Sequence, residues 1–101
     1  MTMKLGFAAR LVAKPGKEEE LAAFLKSALP LAQKEASTLV WYAFRISKSE
    51  FGIFDAFPDE QGRKTHIEGP IAAALMAKAE ELLAAPPKIE PVDVLAVKHE
   101  A

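Results

Sequence analysis

The pattern of apolar residues along this chain of 101 residues predicts an α+β fold: one four-stranded antiparallel sheet with helices on one of its faces. Three observations lead to this prediction. Residues 3–13 alternate between apolar and other side chains, three further short segments are rich in apolar, aromatic or β-branched residues, and apolar residues recur at helical spacing in the segments between these four. Turns containing Pro, Gly or Ser separate the segments. The resulting order of elements is β-α-β-β-α-β.

The first half of the chain is predicted to form a strand, a long helix and a second strand. Residues 3–13 alternate between apolar and other side chains, and the Lys-Pro-Gly turn at 14–16 follows. Residues 17–36 have helical spacing, with three glutamates in the first turn, where the helix dipole favours them. Pro30 lacks a backbone donor, so a kink is expected there. Residues 38–47 are rich in aromatic and β-branched side chains, which are typical of a strand.

The second half is predicted to complete the sheet. Residues 51–57 form a third strand after a short polar turn, and Asp59 is a suitable N-cap for the helix that follows. A Gly-Pro pair at 69–70 interrupts that helix, which resumes over residues 71–85. The last strand is expected at residues 89–98. This order is typical of a ferredoxin-like sandwich, and residues 1–101 are expected to form one domain.

Composition excludes several classes of function. The formal net charge is −1, with acidic and basic residues interspersed, so no basic stripe for nucleic acid is present. There is no cysteine, which excludes disulfides and thiolate chemistry, and no spacing of His, Asp and Glu matches a metal site. His99 is expected to lie in a frayed tail. No apolar run approaches a membrane span and the first ten residues do not resemble a signal peptide, so a cytoplasmic protein is expected.

The third strand carries the most informative polar residue. Asp55 lies in an otherwise apolar strand, and a buried carboxylate needs a partner, a proton or a cavity. If Ile46 pairs with Phe51 across the turn, Tyr42 falls opposite Asp55 on the helix-covered face, and His66 from the next helix lies over the same region. These three groups could bind and deprotonate a small molecule, with His66 as a base near neutral pH. They could equally form a satisfied structural network.

The sheet face without helices is predicted to be apolar. In the same register, Trp41, Arg45 and Phe54 lie on this face. A large apolar patch is uncommon on a monomer. We therefore expect a two-fold homodimer with the two sheets face to face, Trp41 serving as an anchor and Arg45 forming a salt bridge between the subunits.

These features resemble the antibiotic biosynthesis monooxygenase superfamily of dimeric α+β barrels. The resemblance covers nearly the whole chain and is carried by three segments. They are the turn and helix start at 14–20, the aromatic hairpin from Trp41 to Glu60, and the segment HIEGPI at 66–71, which is similar to a His-x-x-Ser-Pro-x-Phe pattern.

The resemblance implies a monooxygenase-like oxidoreductase that acts on a small aromatic or enolisable metabolite with molecular oxygen and needs no cofactor. It implies His66, Asp55 and Tyr42 as catalytic residues. It also implies a pocket walled by Phe44, Phe57 and Leu75.

Departures from the superfamily's haem-degrading members make haem degradation unfavourable. Those members carry an asparagine, a tryptophan and a histidine where this chain has Ala9, Phe57 and about Leu75. The phenol-oxidising branch also often has tryptophan at the position of Phe57. A ligand-binding or stress-related dimer without catalytic activity, and a proton-transferring isomerase, remain alternative functions.

Overall fold

The structure is a computed structural model, and it describes residues 2–98. Its helices and strands follow the predicted order, with the first and second helices each divided in two. In chain order they are β1 (Leu5–Val12), α1 (Glu18–Ser27), α2 (Leu29–Gln33), β2 (Val40–Arg45), β3 (Glu50–Phe57), α3 (Glu60–Ile67), α4 (Pro70–Leu82) and β4 (Lys88–Asp93).

The four strands form one antiparallel sheet in the order β2-β3-β1-β4. The main core lies between this sheet and the helices. Leu21 and Leu25 of α1 and Leu75 of α4 pack there against Phe51 and Ile53 of β3. This arrangement confirms the predicted ferredoxin-like α+β sandwich.

The first predicted helix is interrupted, as its proline suggested. α1 ends at Ser27, Ala28 caps it, and α2 begins at Leu29 with Pro30 in its first turn. Pro30 has no N–H to donate, and the first turn of a helix is where that donor is not needed. The interruption leaves Glu35 in the loop that leads to β2, beyond the end of α2 at Gln33.

The predicted pairing of β2 with β3 is wrong by one residue. Arg45, not Ile46, lies opposite Phe51, and Tyr42 lies opposite Phe54 instead of Asp55. Four residues, 46–49, connect the two strands, and the N–H of Ile46 donates to the carbonyl of Glu50 at 2.8 Å. Since side chains alternate along a strand, this slip moves every β2 side chain to the opposite face of the sheet.

Trp41 and Arg45 therefore lie on the helix-covered face, which corrects their expected place in a sheet-to-sheet interface. Trp41 is directly opposite Asp55 and packs against the core. Arg45 bonds Glu19 of α1 at 2.9 Å and stacks on the Phe51 ring at 4.8 Å.

The helix-free face carries Tyr42 and Phe44, which are 54% and 47% exposed, and the partly buried Phe54. The Phe44 ring lies across Gly52, where an added Cβ would come within 2.5 Å of it. Phe54 was correctly predicted to lie on this face.

The last strand is shorter than predicted. β4 ends at Asp93 because its partner β1 begins at Leu5, and these two residues are opposite each other. Residues 94–98 continue beyond it, and Leu95 is 96% exposed. The prediction for His99 lies outside the described residues. Within residues 2–98, no helix is both long and apolar enough to cross a membrane.

Candidate functional site

Asp55 and His66 meet between the sheet and the helices. Asp59 caps α3 by accepting a hydrogen bond from the N–H of Gly62 at 2.9 Å, and this start places His66 on the buried face of the helix. His66 Nε2 lies 2.9 Å from Asp55 Oδ2. The two residues are 6% and 2% exposed, so the pair is almost fully shielded from water.

The second nitrogen of His66 is held by Glu35, from the loop after α2. His66 Nδ1 lies 2.6 Å from Glu35 Oε1. The hydroxyl of Thr38 donates to that same carboxylate oxygen at 2.7 Å and fixes its position. Asp55 and His66, which are buried, and Glu35, which is partly buried, form a row that we call the acid–imidazole–acid triad.

This arrangement favours the charged form of His66. Burial by itself lowers the pKa of His66, but hydrogen bonds to Asp55 and Glu35 and the charges of both carboxylates raise the pKa above its ordinary value of 6.5. With a carboxylate at each nitrogen, both nitrogens donate, and neither remains as an acceptor. His66 thus holds two carboxylates in place, and its ring is not available as a base for a ligand.

A small cavity of about 30 Å³ borders the triad. Two buried polar atoms of its lining residues, Asp55 Oδ1 and Trp41 Nε1, have no hydrogen-bond partner among residues 2–98. One is an acceptor and the other a donor, and the volume is that of one water molecule or one hydroxyl group. Apolar side chains supply the rest of the lining: Phe7, Ala9, Ile53, Ile67, Ile71, Ala72, Leu75 and Ile89.

A larger groove of about 500 Å³ runs between α1 and the edge strand β2. Its lining residues are Glu19, Ala22, Leu25, Lys26, Leu29, Trp41, Tyr42, Ala43, Phe44, Arg45 and Phe51. Among the described residues, Trp41 alone lines both the groove and the small cavity. The groove has the volume of a site for a planar organic molecule. Within residues 2–98, no group of three or more His, Cys, Asp or Glu side chains has an arrangement that could hold a metal ion.

The structure brings some of the predicted site residues together and separates others. Leu75 lines the cavity beside Asp55 and His66. Phe57 packs on the His66 ring, with centroids 5.2 Å apart, but does not line the cavity. Tyr42 and Phe44 line the outer groove, and the register of β2 puts them on the face of the sheet opposite to Asp55.

Sequence reasoning missed Glu35 and assigned Trp41 to the wrong face. One signal for Glu35 was available: a buried imidazole has two nitrogens, and Asp55 satisfies only one of them. The pattern around residue 35 gave no hint, because the segment was read as the end of a helix. Trp41 could have been placed only with the correct hairpin register.

No protein-family model matches the chain, and no curated protein is significantly similar to it in sequence. Among solved structures, NE2512 of Nitrosomonas europaea, a protein of unknown function, is 56% identical with a TM-score of 0.95. The match covers 98% of this chain and 96% of NE2512. The chain belongs to the same family as NE2512. Among more distant structures, PA3566 of Pseudomonas aeruginosa is 23% identical with a TM-score of 0.80. That match covers 95% of this chain and 98% of PA3566.

The fold of this chain is that of the antibiotic biosynthesis monooxygenases. A putative antibiotic biosynthesis monooxygenase from Caulobacter crescentus superposes with a TM-score of 0.78 at 22% identity, over 93% of this chain and 92% of the other. A second, from Nitrosomonas europaea, superposes with a TM-score of 0.81 at 12% identity, over 94% of this chain and 93% of the other. At these identities the likeness establishes the fold, which is the fold predicted from the sequence.

Proposed function

We propose that the protein is a monooxygenase-like enzyme that deprotonates a small phenol or enol at Asp55, after which the anion reacts with molecular oxygen. The observation that carries this proposal is Asp55 Oδ1, a buried acceptor without a partner beside a cavity the size of a hydroxyl group. A proton acceptor in an apolar, water-poor site is what this step requires.

Each residue then has one role. Asp55 Oδ1 takes the hydroxyl proton, and Trp41 Nε1 donates a hydrogen bond to the oxygen that becomes negative. His66 and Glu35 transfer no proton to the substrate; they orient Asp55. Tyr42, expected to be catalytic, has no part in this scheme because it faces the other side of the sheet.

The proposed reaction balances without a cofactor. The phenolate carries electron density to a ring carbon, and that carbon forms a bond with dioxygen. The peroxide takes back the proton held by Asp55. The hydroperoxide then loses water, which includes the hydrogen of that ring carbon, as the carbon becomes a carbonyl, so that one phenol and one dioxygen give one quinone and one water. The body of the substrate exceeds the small cavity, so it occupies the groove on the other side of Trp41, whose indole must shift to let the hydroxyl pass.

The experiment is oxygen uptake by the purified protein with naphthols, naphthoquinols and hydroxynaphthoates, each first screened for binding by thermal shift. Asp55→Asn should lower turnover about a hundredfold or more, because it removes the proton acceptor and keeps the shape. Asp93→Asn, at the exposed end of β4, is the matched control and should leave turnover unchanged. Equal turnover in the Asp55→Asn variant would remove Asp55 from the mechanism.

Two alternatives use the same site. Both nitrogens of His66 are occupied by carboxylates, so the imidazole offers no free base, which favours a ligand carrier without chemistry. An isomerase would use Asp55 for proton transfer and ignore oxygen. A compound that binds without oxygen uptake and is recovered unchanged supports the carrier, and one that exchanges a carbon-bound hydrogen for deuterium supports the isomerase.

We also propose that a second copy of the chain covers the helix-free face. The support is the apolar surface formed there by Tyr42, Phe44 and Phe54. A contiguous patch of large apolar side chains on a four-stranded sheet is uncommon in a monomer, and self-association about a two-fold axis would bury it from both copies. The revised interface omits Trp41 and Arg45.

A further inference from the structure

The groove between α1 and β2 has an uneven distribution of charge. Its floor and walls are mostly apolar, and three charged residues, Glu19, Lys26 and Arg45, line it. Arg45 and Glu19 neutralise each other through their 2.9 Å ion pair. Among the described residues, Lys26 has no carboxylate within ion-pair distance. The groove therefore has one uncompensated positive charge.

That charge lies at the Trp41 end of the groove. Glu19 and Lys26 are seven residues apart on α1, so the helix separates them by about 10 Å. Glu19 marks one end of the groove by bonding Arg45, the last residue of β2. Lys26 is near Ala28, and Ala28 belongs to the small core cluster against which Trp41 packs. Lys26 is thus the cation at the Trp41 end of the groove, and a ligand in the groove would reach Asp55 at that end.

We propose that the groove binds a planar aromatic acid, with its rings on the apolar walls and its carboxylate paired with Lys26. A hydroxyl next to the carboxylate would point past Trp41 towards Asp55, so the substrate class is the ortho-hydroxyaryl carboxylates. This last step rests on the proposed function. The binding of the acid itself does not, because it uses only the groove and Lys26.

The pairing is partly exposed to solvent, so a moderate preference is expected. Ion pairs at exposed sites contribute little, and a single charge in such a groove should favour an acid over its neutral isostere by about three- to fivefold in Kd. The preference should decrease with added salt, since exposed charges are screened. Apolar contacts with the groove should contribute equally to both ligands.

The test compares the dissociation constants of 1-hydroxy-2-naphthoate and its neutral amide, 1-hydroxy-2-naphthamide. Isothermal titration calorimetry measures both constants with oxygen excluded, so that no turnover occurs. The wild-type protein should bind the acid about three- to fivefold more tightly, and Lys26→Gln should abolish the difference. Lys34→Gln, an exposed lysine that does not line the groove, is the matched control and should keep the preference. Trp41 is the only tryptophan, so its single indole N–H resonance reports whether the ligand occupies this groove.

Four results would overturn the inference. They are equal or tighter binding of the amide, an unchanged preference in Lys26→Gln, an indole resonance that does not move at saturation, and no binding of either compound at millimolar concentration. The outcome is separable from the proposed function. Lys26-dependent binding without oxygen uptake keeps the ligand class and rejects the oxygenase. Oxygen uptake with neutral naphthoquinols, together with binding of the acid that is no tighter than that of the amide, keeps the oxygenase and rejects the ligand class.

Discussion

The two faces of the sheet differ in the contacts that their side chains make within the chain. On the helix-covered face, Asp55, His66 and Glu35 are held in one hydrogen-bonded row, and Arg45 is paired with Glu19. On the helix-free face, large aromatic side chains such as Phe44 remain half exposed. The first face is specified by directional polar contacts within one chain, whereas the second has apolar area to bury. Mutations on the two faces should therefore change different observables.

The largest effect is expected from removing Asp55. Asp55→Ala leaves His66 with one carboxylate in a buried site, and loss of one partner from a buried ion pair costs about 3–5 kcal/mol of unfolding free energy. Urea denaturation at pH 7 measures the loss. Asp93→Ala, at an exposed strand end, should change stability by less than about 0.5 kcal/mol. A similar small loss for both variants would mean that the triad does not stabilise this face.

The next effect is the pH dependence of stability. The pKa of His66 is raised in the folded protein above its ordinary value of 6.5, so its stabilising contribution is complete below about pH 6.5. That contribution is lost as pH rises through the folded-state pKa. Unfolding free energies measured from pH 6 to pH 9 should therefore fall, after correction for a His66→Gln variant.

Glu35 sharpens this prediction. Glu35→Gln removes one of the two carboxylate charges, so the pKa of His66 should fall, and NMR titration of the imidazole measures the change directly. Glu68→Gln, exposed after the end of α3, is the control and should leave the titration unchanged. An unaltered titration in Glu35→Gln would show that the 2.6 Å contact has no electrostatic effect.

A mutation on the helix-free face should change the assembly of the protein and leave the triad unaffected. Phe44→Glu places a charge in the proposed dimer interface, so sedimentation should show a dissociation constant raised at least about tenfold, because a desolvated unpaired charge costs several kcal/mol. Met76→Glu makes the same change on exposed α4 and should leave assembly unchanged. A wild-type protein that is monomeric at all concentrations would contradict the proposed dimer.

How much could be predicted from the sequence differs between the fold and the site. Periodicity and turn residues predicted every strand and helix in order, because those signals are local. The register of the hairpin was not predictable, since the loop around Lys48 lacks an Asn-Gly signal that fixes its length. One residue of slip exchanged Tyr42 and Trp41 between faces. Asp55 and His66 are in contact as expected, whereas Trp41 instead of Tyr42 lies opposite Asp55.

The smallest expected effect tests that register directly. Arg45 reaches Glu19 of α1 only if it lies on the helix-covered face. A double-mutant cycle of Arg45→Gln and Glu19→Gln should give a coupling energy of about 0.2–1 kcal/mol, because this ion pair is partly exposed, and the coupling should weaken in 1 M salt. Glu20→Gln is the control for Glu19, since Glu20 pairs with Lys17 and should show no coupling to Arg45. A coupling to Glu20 as large as the coupling to Glu19 would contradict the specific ion pair. Coupling that is confined to Glu19 therefore supports the register in which Trp41, not Tyr42, shares the face of Asp55.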